Sequence, residues 1–146
     1  MPTLLTADQI LDRWRAILSG PVFNYIEAIS WVSFELQPTT NLDAVYRLVP
    51  PASQSTVGHF DYHEERTESV QLWLSRQVQN DYDAVRTRLI QDKDAIIAAL
   101  TRDAFQDSGD YNLVSEGRGY AVTPERRDAS FVSLRLTLAI NYDAQL

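Results

Sequence analysis

His59, Asp61 and His63 alternate along the chain, and Glu64 and Glu65 follow at once. On an extended strand, residues two apart point the same way. Two imidazoles and a carboxylate set out like this could hold zinc or another first-row metal. Against that, these are the chain's two histidines, and the residues around them are polar with no further cluster of ligands. The expectation is a solvated interaction loop formed by His59, Asp61, His63, Glu64 and Glu65, with no metal site and no cofactor.

Other candidates for chemistry are weaker. Gly117-Arg118-Gly119 has neither the third glycine nor the strand-to-helix setting of a dinucleotide cradle, and reads as a hairpin or bulge. Neither a G-x-S-x-G elbow nor a P-loop occurs. Asp92-Lys93-Asp94 falls inside a helical pattern and reads as a solvated face rather than a working carboxylate pair. No catalytic residues emerge, and an enzyme is not expected.

The elements that must position these residues are easier to read. From Ser130 to Tyr142 the chain alternates, with Val132, Leu134, Leu136, Leu138, Ile140 and Tyr142 on one side and Ser133, Arg135, Thr137, Ala139 and Asn141 on the other. That period of two predicts a long strand in an antiparallel sheet with one face in a core. Residues 7–19 predict an amphipathic helix, with Thr6 and Gln9 as a capping box and Gly20-Pro21 as the stop. Residues 22–27 read as a turn or short strand. Strands are expected from Ile29 to Gln37, Asp43 to Val49 and Glu68 to Val78, with a long polar loop from Ala52 to Thr67. A helix capped by Asn80 should run from Asp81 to Arg102, burying Tyr82, Val85, Leu89, Ile96, Ile97 and Leu100. After a turn at Gln106–Asp110 come Tyr111–Gly117 and Tyr120–Thr123, two strands or one interrupted strand. The charged connection Pro124–Asp128 then leads into the last strand. The order α-β-β-β-α-β-β predicts one α+β domain over residues 1–146: a mostly antiparallel β-sheet with two helices packed on one face.

Composition limits the partners. The formal charge is −7, and Lys93 is the one lysine among 13 basic residues, so tight binding to double-stranded nucleic acid is not expected. Cysteine is absent, which excludes disulfides and thiolate chemistry. The start, Met-Pro-Thr-Leu-Leu-Thr, lacks the basic and apolar regions of a signal peptide, and no apolar run approaches a membrane span. A protein made in the cytoplasm is expected, with no membrane partner.

What remains is surface. Trp73 falls on the polar side of its strand, and Phe131 precedes the polar side of the last one. Apolar groups on a wet face suggest contact with another chain, the alternative being a second partial core.

Three features of the C-terminal third carry a resemblance: Gly119-Tyr120, then Arg126-Arg127-Asp128, then the alternating strand ending in Ile140-Asn141-Tyr142-Asp143. Together they resemble the end of the tail terminator family of long-tailed bacteriophages, the lambda minor tail protein U type. Element order, length, acidity and lack of cysteine are similar to that family. The resemblance implies a tail terminator-like fold and a non-enzymatic virion protein of the tail and neck, made in the host cytoplasm. It implies a six-fold homo-oligomeric ring on the head-proximal end of the tail tube. Such a ring stops tube polymerisation and gives the head-tail connector or stopper protein a docking surface. Its partners would be its own copies, the tail tube protein and the connector, with DNA passing through unbound. Trp73, Arg118, Arg126, Arg127, Asp128 and Phe131 are then candidates for the subunit or tube interface. The alternatives are a neighbouring head-completion or tail-completion factor, or an unrelated α+β metal- or ligand-binding domain using His59, Asp61 and His63.

Overall fold

The computed structural model describes residues 4–27, 44–49, 54–59, 63–78, 81–123 and 131–145. Its elements are α1 (Ala7–Leu18), β1 (Ile26–Glu27), β2 (Ala44–Val49), β3 (Gln54–His59), β4 (His63–Gln77), α2 (Tyr82–Arg102), a π-helical turn (Asp103–Ser108), β5 (Tyr111–Thr123) and β6 (Phe131–Gln145). The strands form one sheet in the order β1-β2-β4-β6-β5, with β3 also pairing β4. Among the described strands the two-residue β1–β2 pairing is parallel and the other pairings are antiparallel. Among the described residues this is an α+β fold with two helices on one face of a mostly antiparallel sheet. The strand expected from Ile29 to Gln37 lies outside the described residues.

The centre is the β4–β6 pair, matched from His63↔Gln145 to Gln77↔Phe131. Val132, Leu134, Leu136, Leu138, Ile140 and Tyr142 are all buried, as their alternation requires, and Ala144 extends the row. Val70, Leu72 and Leu74 line the same core, and α1 closes it with Ile10, Leu11, Trp14 and Leu18. From α2 come Leu89, Ile96 and Leu100. Burying each large aliphatic side chain contributes roughly 1.5–3 kcal/mol, so this shared face dominates the fold.

Local signals set the helix ends. The capping box of α1 is formed: Gln9 N–H donates to Thr6 Oγ1 at 3.2 Å and Thr6 N–H to Gln9 Oε1 at 2.9 Å. At the other end, a Cβ on Gly20 would lie 3.2 Å from the Ala16 carbonyl oxygen, so glycine permits that close return. Asn24, at φ 57°, then turns the chain into β1. For α2 the cap is Asp81, which accepts from Ala84 N–H at 3.2 Å, rather than Asn80. Either side chain can accept such a bond, so sequence alone left the start open by one residue. The turn expected at Gln106–Asp110 is instead the end of the π-helical segment, which stops at left-handed Gly109 (φ 66°).

Two expectations about strands change. The segment from Ala52 to Thr67 is not a long loop: β3 pairs β4 antiparallel from Gln54↔Glu68 to His59↔Glu64, with a bulge between Thr56 and Gly58. β2 and β3 follow the same edge of β4 in succession, with Pro50-Pro51 between them, where prolines cannot donate to a ladder. β5 is a single strand whose register shifts between Val114 and Gly119. Five steps along β5 there match two along β6, from Ala139 to Thr137, leaving three extra residues. An odd insertion reverses strand parity. Tyr111 and Leu113 therefore pair with Tyr142 and Ile140, and after the bulge Tyr120 and Val122 pair with Leu136 and Leu134.

Candidate functional site

Two polar clusters tie the helices to the sheet, and a third polar cluster and an aromatic cluster lie on the sheet itself. At one end of the helix layer, the Arg76 side chain is 6 % exposed and its Nε donates to Asp92 Oδ2 at 2.7 Å. Tyr25 donates to the same oxygen at 2.6 Å, and the Arg76 guanidinium lies 5.2 Å from the Tyr25 ring centre. Burial, then the bond to Asp92, pushes the Tyr25 hydroxyl far above the usual tyrosine range. Asp92 is therefore no solvated residue. Lys93 beside it is buried on the core stripe of α2, with its amine 2.9 Å from Asp94. The exposed reading fails for Asp92, whose partners lie on β4 and before β1, and for buried Lys93, but holds for Asp94, whose side chain is 69 % exposed.

The second cluster joins α1, the π-helical turn and β5. Trp14 Nε1 donates to the Tyr111 hydroxyl at 2.8 Å, and that hydroxyl donates to Asp103 Oδ2 at 2.6 Å. Arg13 holds Asp103 Oδ1 at 3.1 Å and approaches Asp110 at 3.7 Å. Burial, followed by Asp103, pushes Tyr111 well up. Nearby on α1, Arg15 bridges Asp12 and Glu27 at 2.7 and 3.1 Å, and Glu27 also accepts from Tyr46. Burial and the negative Glu27 push Tyr46 up to about 12.

The third cluster holds residues expected in the interaction loop. His59 ends β3, whereas His63, Glu64 and Glu65 begin β4; Asp61 lies outside the described residues. His63 and Glu64 are buried rather than solvated, and Arg66 Nε pairs with Glu64. His59 sits opposite Glu64 in the register, so the two histidines belong to facing strands and not to one extended run. Among the described residues, no group of three or more His, Cys, Asp or Glu could hold a metal. Across the sheet, the Tyr142 hydroxyl bonds Glu68 and Arg66, and burial followed by Glu68 pushes it up to about 12.

Trp73 overturns its own expectation. It is 1 % exposed and packs with Val45 and Val49 in a small cluster separate from the main core. The Arg135 guanidinium stacks over its ring at 3.8 Å, while its Nε1 donates to Gln71 at 3.1 Å. Arg47, Trp73 and Arg135 are successive register partners across β2, β4 and β6. Trp73 is thus the second partial core rather than an exposed contact. Two arginines flank it because a guanidinium can lie flat on an aromatic face and still keep its edge for hydrogen bonds.

Of the remaining interface candidates, two fall among the described residues. Arg118 falls within the β5 bulge, and Phe131 opens β6 opposite Gln77. Arg126, Arg127 and Asp128 lie outside the described residues.

No family model matches this chain, and no curated protein matches it.

The clusters hold their charges in arginine–carboxylate and tyrosine–carboxylate pairs that join separate elements, an arrangement suited to rigidity. No described helix is long and apolar enough to cross a membrane. Sequence reasoning missed the Arg76–Asp92–Tyr25 and Trp14–Tyr111–Asp103 clusters. The one available signal was a tryptophan and two tyrosines at otherwise apolar positions, which need polar partners when buried.

Proposed function

We propose that this protein is a structural component of a bacteriophage tail, acting as a terminator at the head-proximal end of the tail tube. The observation that carries the reading is the C-terminal pattern Gly119-Tyr120, Arg126-Arg127-Asp128 and the strand through Asp143. The α+β architecture supports it, because the family resemblance calls for two helices on one face of such a sheet, while four described strands stand between the helices where the expected order had three. Paired charges that tie α1 to the π-helical turn and α2 to β4 also suit a part that bears load.

Mechanically, a terminator needs one surface that fits the last ring of tube subunits and another that those subunits cannot use. A closed ring meets both needs, since head-to-tail contacts around it leave no free end. Six copies carrying a charge of −7 each would also repel the phosphate backbone passing through the pore. In this reading the protein acts without catalysis, belongs to the virion, and offers its outer face to the connector or stopper.

The test is addition of the purified protein to polymerising tail tube subunits from the same virus. The expected result is short tubes with added density at one end. Tubes that grow to control length with bare ends overturn the proposal.

A further inference from the structure

Among the described residues, the interior ladders of the sheet are regular. β2 matches β4 without a break from Ala44↔Arg76 to Val49↔Gln71, and β4 matches β6 from His63↔Gln145 to Gln77↔Phe131. The shifts in register fall on strands at the sheet's edges: β5 pairs β6 alone, and β3 pairs β4 alone. In β3, Val57 is the surplus residue between Thr56↔Arg66 and Gly58↔Glu65. In β5, residues 115–118 stand against Leu138, between Val114↔Ala139 and Gly119↔Thr137. The remaining edge strand, β1, is two residues long.

The core does not require these insertions. Tyr111 and Leu113 are buried opposite Tyr142 and Ile140, and beyond the bulge Tyr120 and Val122 meet Leu136 and Leu134. One residue in place of residues 115–118 would keep each of those pairs and restore strict alternation along β5. What the insertions change is the free side. An edge strand presents a repeating row of N–H and C=O groups on which another strand can build, and the 13 residues of β5 make a long template. A bulge breaks that repeat and increases the local twist, so an added strand could follow β5 over residues 111–114 or 119–123 but not across the gap. Glu116 and Gly117, both poor strand formers, stand at that break. Between β2 and β3, along one edge of β4, the sequence places Pro50-Pro51, which cannot donate to a ladder. We propose that the bulges of β3 and β5 are a device against strand addition. They stop a second copy from extending the sheet and leave contact between copies to other surfaces. The device goes beyond the terminator reading and does not depend on it.

Three altered chains test it. In one, a single valine replaces residues 115–118; in another, Val57 is deleted. In the third, Gly-Ser-Gly-Ser replaces residues 115–118, which keeps the length and removes the charges. Each is compared with the parent by circular dichroism, thermal unfolding and light scattering over a range of concentrations. The two shortened chains are expected to keep a folded spectrum and to assemble as concentration rises, with a mean mass severalfold above the parent's and an infrared band of intermolecular β-structure. The Gly-Ser-Gly-Ser chain should match the parent. Shortened chains that are folded and keep the parent's size at every concentration overturn the proposal. Assembly of the Gly-Ser-Gly-Ser chain to the level of the valine chain assigns the block to charge rather than to the bulge, and overturns it as well. Where one shortened chain fails to fold, the other decides; where both fail, the insertions serve the fold itself and the proposal falls. None of these outcomes bears on tube capping, which its own assay tests.

Discussion

β4 and β6 run side by side over their full lengths, yet the two halves of that pair are built differently. In one half, Val70, Leu72 and Leu74 face Leu138, Leu136 and Leu134, and the helices cover them. In the other, Glu64, Arg66 and Glu68 face Ala144, Tyr142 and Ile140. At ~3.4 Å per residue, a pair of 15 residues spans about 50 Å, whereas the 21 residues of α2 span about 32 Å. α2 alone cannot cover that length, and the far end is met by the chain entering α1. There Leu4 bridges Asp143 in parallel, and Leu5 N–H donates to the Asp143 carbonyl at 2.8 Å. The apolar half is held by burial, and the polar half by ladder hydrogen bonds with the Glu64–Arg66 and Glu68–Tyr142 pairs. On β6 the apolar alternation continues through Ile140, Tyr142 and Ala144, so the polar character of this half comes from β4 alone.

The apolar half should break most easily. Leu136→Ala removes a fully covered side chain at the centre of β6, and should cost about 2–5 kcal/mol in urea unfolding. A loss below about 1 kcal/mol would mean that the core collapses around the cavity and that the contrast between halves is weaker than drawn.

Asp92→Ala tests the buried charge at the edge of that core. It strands the Arg76 guanidinium, and should cost about 2–4 kcal/mol, less than a fully enclosed pair because Asp92 is 21 % exposed. Replacing both partners, Arg76→Met with Asp92→Leu, should recover much of the loss. Equal losses from single and double variants would show that the pair contributes packing alone.

Tyr142→Phe probes the polar half, where it removes the hydroxyl bonded to Glu68. About 1–2 kcal/mol should be lost, since a buried carboxylate loses a donor. The same substitution sharpens an alkaline effect. Tyr46 and Tyr142 titrate near 12 when folded, against 10 for an unperturbed phenol, and Tyr25 and Tyr111 lie higher still. Between these values the unfolded chain releases phenolic protons that the folded chain retains, so stability should fall as pH rises above about 10. Spectroscopic tyrosine titration should coincide with alkaline unfolding, and the Tyr142→Phe protein should lose less stability across that window. Titration of all tyrosines near 10 with the fold intact would show that these hydroxyls are not enclosed.

The smallest effect is expected from metal removal. Chelation should leave the thermal midpoint unchanged, because among the described residues no metal-ligand cluster exists. A midpoint raised by zinc and lowered again by chelator would restore His59 and His63 as ligands.

The sequence by itself determined the inward face of β6, the capping box and buried stripe of α1, the extent of α2, and the α+β class with its helices on one face. Those features follow from periodicity and from bonds between residues a few positions apart, which one stretch of chain contains in full. Only the tertiary structure decided that β3 and the start of β4 are strands, because their pairing is satisfied across the ladder and their polar side chains hide the signal. It also decided that Asp92 meets Arg76 and Tyr25, 16 and 67 residues away, and that Trp14 meets Tyr111 across 97. The same holds for Trp73: alternation places it on the side away from the main core, as local sequence says. Whether that side is wet depends on Val45 and Arg135, which reach it from neighbouring strands whose register no local pattern specifies.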